Sequence, residues 1–199
     1  MQSLRQITGN ITKFSLRTTA SIFLVFSLLS QAMASGQPLA KWSQLKTKYA
    51  LIHYQNQQDL LRLRQKLHFG PGASTFFTIF SSDNDGDPIA EIKGRIDAIF
   101  ERVQEILGMR KAMDPVIINL YSNQRQLHQA YKEIYGTQCR IRAWYRHKDR
   151  TIYVNINDLH EGMLAHEMAH FIIDNYLEVR PPRATAEILA RYVDLHLKD

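Results

Sequence analysis

Two histidines and a glutamate set the chemistry open to this chain: His166-Glu167-Met168-Ala169-His170. On a helix, residues four apart leave the same face one turn apart, so two neutral imidazoles can grip one divalent cation. Zinc is the usual occupant of such a pair. Glu167 stands one step round from His166, too displaced to ligate but near enough to accept a proton from a water on the cation. Glu187, 17 residues after His170, is a candidate third ligand; it follows Pro181-Pro182 inside a second helical pattern, Arg183–Leu197.

The elements that must carry these groups are legible nearby. Leu164, Met168, Phe171 and Ile172 supply the apolar stripe that a buried helix needs. The blander reading is a pair of core or surface histidines beside a solvated glutamate. The downstream Glu187 weighs against it.

His166-Glu-Met-Ala-His170 followed by Ala186-Glu187-Ile-Leu-Ala190 resembles the gluzincin branch of the zincin metallopeptidases, which carry H-E-x-x-H and a later E-x-x-A on the next helix. Thr151–Ile156 is similar to the strand that precedes their active-site helix. The likeness is close over residues 150–197 and loose from about residue 48. It implies an α+β, small zincin-like domain in which a mixed sheet packs on the active-site helix. It further implies one zinc ion per chain held by His166, His170 and Glu187, with Glu167 as catalytic base and a peptide or protein as substrate. The strand Thr151–Ile156 is expected to pair with an extended peptide.

In most of that branch a sizeable region after the third ligand supplies a His or Tyr for the oxyanion, whereas here residues 188–199 follow Glu187. The candidate donors are Tyr192 and His196 on the same helix and Tyr145 and Tyr153 from the preceding hairpin. Asp174 and Asp194 are candidate partners for the ligands' outer nitrogens. A second class stays open: an exported protein that keeps the fold for binding or structure. The presence of Glu167 favours hydrolysis, because a structural zinc site requires no base.

Residues 1–34 run from a basic start (Arg5, Lys13, Arg17) through an apolar stretch, Ala20–Leu29, to Ala32-Met33-Ala34. That order predicts a secretory signal cleaved after Ala34, a periplasmic or secreted protein, and a single folded domain over residues 35–199. A membrane anchor wants about 20 apolar residues, so no stable anchor is expected after cleavage. The segment holds three of the 25 basic residues and none of the 19 acidic ones, so its removal takes the net charge from +6 to +3. Such a balance gives no reason to expect nucleic acid. Cys139 is the only cysteine, which excludes an intramolecular disulfide.

Along the folded part, Tyr49–Tyr54 reads as a first strand and Asp59–Leu67 as a short amphipathic helix. Ser74–Phe80 reads as a strand or an aromatic loop, and Ser81–Asp87 as a turn capping the next helix, since its glycine is misplaced for a calcium loop. Ile92, Ile96, Ile99, Phe100, Val103 and Ile106 predict a helix over Pro88–Gly108. Pro115–Tyr121 predicts a buried strand, and Ser122 is expected to cap a helix over Gln124–Tyr135. Cys139–Tyr145 and Arg150–Ile156, around Arg146–Asp149, predict a hairpin whose many arginines form a charged outer face. His53 and His68 have no partner at ligand spacing and read as structural or exposed.

Overall fold

The computed structural model describes residues 41–67 and 86–199, and among these five strands form one mixed sheet flanked by five helices. The strands are β1 (Ser43–Lys46), β2 (Ala50–Tyr54), β3 (Val116–Tyr121), β4 (Ala143–Arg146) and β5 (Thr151–Asn155). Their spatial order is β1-β2-β3-β5-β4. β2, β3 and β5 run parallel at the centre, while β1 and β4 are antiparallel edges. The helices are α1 (Gln57–Lys66), α2 (Pro88–Leu107), α3 (Gln124–Tyr135), α4 (Glu161–Tyr176) and α5 (Arg183–His196). This mixed α/β architecture accords with the α+β class expected.

Strand alternation divides the sheet into two unlike faces. The row Ile52, Ile118, Ile152 and Tyr145 points one way and joins the larger core with α1, α2, α4 and α5. Ile92, Ile99, Phe100 and Phe171, each at most 1 % exposed, fill that layer. Each such side chain contributes on the order of 1.5–3 kcal/mol by leaving water. The row His53, Asn119, Tyr153 and Trp144 points the other way, where α3 covers its Trp144 end through Leu127 and Tyr131.

Local signals explain where the helices start and stop. Asp87 accepts from the Ile89 amide and Pro88 opens α2, a preorganised first turn. Gly108 (φ 64°) and Gly136 (φ 72°) end α2 and α3 in the left-handed region, which a glycine enters without a Cβ clash. The cap of α3 differs from expectation. Asn123, not Ser122, accepts from the Gln126 amide, because the Ser122 hydroxyl donates to the buried Asp59 carboxylate at 2.6 Å.

Two further differences bear on the site. β5, expected to receive a peptide, has both edges occupied by β3 and β4 and cannot add another strand. Among the described residues, the free edge on that side belongs to β4, the shorter arm of the hairpin. β1 was not expected; its sequence Ser-Gln-Leu-Lys is polar and mostly exposed. The expected signal segment, residues 1–34, and the expected strand or loop at 74–80 lie outside the described residues, as does His68. No helix among the described residues is long and apolar enough to cross a membrane.

Candidate metal centre

α4 leaves β5 through a short turn and begins at His160, whose Nδ1 accepts from the Met163 amide at 3.1 Å. Ten of its 16 residues are buried, Leu164, Met168, Phe171 and Ile172 among them. That stripe fixes the rotation of the helix and turns His166, Glu167 and His170 toward the β4 edge. The two imidazoles stand with ring centroids 5.0 Å apart and planes 78° apart.

α5 packs across α4 and brings Glu187 from its own second turn. Glu187 Oε2 lies 3.6 Å from His166 Nε2, and Oε1 lies 3.8 Å from His170 Nε2. One donor atom from each of the three residues falls within 4.8 Å of the others. Donors at about 2.0–2.2 Å from a tetrahedral centre sit roughly 3.3 Å apart, so the three fit around a single ion with a small inward movement. Two imidazoles and one carboxylate are also a donor set that suits zinc.

Glu167 sits under this group with its side chain turned from solvent. Burial pushes its carboxyl up from 4.5 to about 7; a backbone hydrogen bond from Tyr145 opposes that, and the Glu187 charge adds to it. The Tyr145 backbone belongs to the edge strand β4, which runs alongside this carboxylate. His170 is held below its ordinary value, first by burial and then by His166, with Glu187 and Asp174 opposing. The shift favours the neutral imidazole that a metal needs. A bound cation would act on Glu167 in the opposite sense to burial.

The other residues singled out in the sequence take separate places. Tyr145 lines the cleft at its main chain, but its ring turns into the core edge-on to Phe171, at 6.0 Å. The Tyr153 hydroxyl donates to Asp149 at 2.6 Å, with the ring flat on Trp144 at 4.4 Å. Tyr192 and His196 stack on each other at 4.0 Å on an exposed side of α5. The Asp174 side chain is 3 % exposed; it lies 3.0 Å from His147 Nδ1 and accepts from Arg180 Nε at 3.1 Å. It therefore acts on His170 through its charge while tying the hairpin turn to the α4–α5 connection. Asp194 lies against Gly162, a turn before His166, so closely that a Cβ there would meet its Oδ1 at 2.1 Å.

The centre opens into a cleft of about 720 Å³ between the β4 edge and the start of α5. One wall carries His166, His170 and Glu187 with Arg180 and Arg183; the other carries Tyr131, Tyr135 and Trp144. The aromatic wall comes from α3 and the start of β4, a role that the sequence expectation of a helix over Gln124–Tyr135 does not include. The available signal was Leu127, Tyr131 and Tyr135 recurring every four residues. No family model, no curated protein and no solved structure matches this chain.

Proposed function

We propose that the chain is an exported zinc-dependent peptidase of the zincin type, with His166, His170 and Glu187 as ligands and Glu167 as general base. The observation that carries this reading is the convergence of those four side chains, from two helices, at one end of a single cleft. When bound, zinc supplies Lewis acidity, which brings the pKa of a water at the site toward about 7.

The chain's own residues would do the rest. Glu167, beside the ligands but outside their set, accepts the proton of the attacking water and returns it to the leaving amine. The β4 edge offers main-chain groups along the cleft, so it replaces β5 as the rail for an extended peptide. Asp174 restrains Arg180 at the rim. A structural zinc site would have no use for a buried carboxyl held beside the ligands but outside the set.

One observation favours the second reading, an exported binding or structural protein. The hydroxyls of Tyr145 and Tyr153 are turned away or engaged, and Tyr192 and His196 face outward, so none of the four is placed as an oxyanion donor. Side chains that do line the cleft and can donate include Arg180, Arg183, Tyr131 and Tyr135. Zinc content measured beside hydrolysis of a mixed peptide substrate, with and without chelator, separates the readings. Stoichiometric zinc with chelator-sensitive cleavage supports the peptidase. Stoichiometric zinc with no cleavage of any peptide leaves the binding protein.

A further inference from the structure

We infer that the wall facing the candidate metal centre is a side-chain subsite for an aromatic or large apolar residue of a peptide, with Tyr135 as its specificity-determining residue. This rests on the peptidase reading for its context, but the rings make the case independently. Tyr131 packs against Tyr135 at 4.4 Å and edge-on to Trp144 at 5.2 Å, and Tyr135 meets Trp144 at 6.5 Å and 62°. Trp144 is closed off beneath by Tyr153, parallel at 4.4 Å. The Trp144 Nε1 is buried without a hydrogen-bond partner among the described residues, so the indole presents its apolar ring and not its N–H to this end of the cleft.

Tyr135 ends α3 with 44 % of its surface exposed, and it borders the same cleft as His166 and Glu187. Aromatic rings favour tilted or edge-to-face neighbours with centroids 4.5–7 Å apart, the geometry already repeated among these three. A further ring arriving from a peptide along β4 would extend the same pattern. Charge narrows the choice. The Arg146 guanidinium lies 5.9 Å from the Tyr135 centroid and is anchored to Asp149 at 2.9 Å, so a basic side chain is repelled there. Arg183 on the facing wall acts in the same sense.

The test uses three capped pentapeptides that differ only in a central phenylalanine, alanine or lysine. Binding to the metal-free full chain is followed by NMR at the Tyr135 ring and the Trp144 indole, so it does not depend on catalysis. The phenylalanine peptide is expected to shift both signals and to bind about tenfold tighter than the other two. Tyr135→Ala should remove that advantage and Tyr135→Phe should keep it; both changes fall at an exposed helix end. Equal or absent binding of the three peptides, or an advantage that survives Tyr135→Ala, overturns the subsite. The same peptides are then offered to the zinc-loaded chain. Selective binding without cleavage removes the peptidase reading and leaves the subsite, whereas cleavage without selectivity removes the subsite and leaves the peptidase.

Discussion

The two helices that meet at the candidate centre are held in very different ways. α4 buries ten of 16 residues and runs between the sheet and α5, so its histidines and Glu167 sit on a helix whose rotation the core dictates. α5 buries only Ala190 and Val193, and leaves Ile188, Tyr192 and Leu195 at 68 %, 48 % and 75 % exposure. It begins at Pro182 with no side-chain cap. His166, Glu167 and His170 are thus preorganised by packing, while Glu187 arrives on a helix held along one face, by Leu189, Ala190, Val193 and Leu197. A metal bound by His166, His170 and Glu187 would fasten α5 to α4, which makes the ion a structural clamp as well as a chemical one.

The sharpest way to separate position from chemistry on α4 is Glu167→Gln. The amide keeps the shape and leaves all three proposed ligands, but it cannot accept the water's proton. Hydrolysis should fall by about 10²–10⁴-fold with zinc content unchanged. Equal hydrolysis by the two proteins would remove Glu167 from the mechanism and favour the binding-protein reading.

The contrast in burial predicts a contrast in stability. Phe171 is fully buried between α2 and the sheet, touching Phe100 at 6.0 Å and Tyr145 at 6.0 Å. Phe171→Ala should cost about 3–5 kcal/mol, through lost transfer energy and the cavity left behind. Leu195→Ala on α5, three-quarters exposed, should stay within about 0.5 kcal/mol. Denaturant midpoints of the two variants decide it. Similar losses would mean that α5 is as firmly packed as α4.

Glu187→Ala probes the clamp directly. Its carboxylate is 44 % exposed and meets the histidines and Arg183 at no less than 3.6 Å, so the metal-free fold should hardly notice its loss. Zinc, however, should dialyse away more readily, and the rise in melting temperature that zinc gives the parent chain should shrink. A variant that keeps the full zinc-induced rise would place the third donor elsewhere.

How much of this was legible follows from which signals are local. The i, i+4 histidines and the stripe Leu164, Met168, Phe171 and Ile172 are properties of one helix, and the sequence carries them whole. The strand from Val116 and the helix from Pro88 were legible for the same reason: continuous apolar runs or a sustained period. β1 was not, because an edge strand of Ser-Gln-Leu-Lys buries too little to leave a pattern. Strand order was also hidden. Nothing in Thr151–Asn155 says that β3 occupies its other edge, so its place as an inner strand is not legible in its own residues. The fate of each tyrosine hydroxyl depends on register: pairing Trp144 with Tyr153 puts Tyr145 on the opposite face, and the turn's residue count alone did not settle that pairing.

The smallest effect concerns how α5 comes so close to α4. Gly162 is the second residue of α4, where alanine is favoured over glycine by up to about 1 kcal/mol. An added Cβ would lie 2.1 Å from Asp194 Oδ1 and 3.4 Å from its Cγ, so the carboxylate must swing aside. Asp194 is exposed, and that swing takes it into water at modest cost. Gly162→Ala should therefore gain only a few tenths of a kcal/mol in the parent chain, and approach the full helix gain once Asp194→Ala has cleared the space. Denaturant midpoints for the two single variants and the double variant measure the coupling. An equal gain in both backgrounds would show that Asp194 does not set the approach of the helices, which would then rest on the apolar face of Leu189, Ala190, Val193 and Leu197.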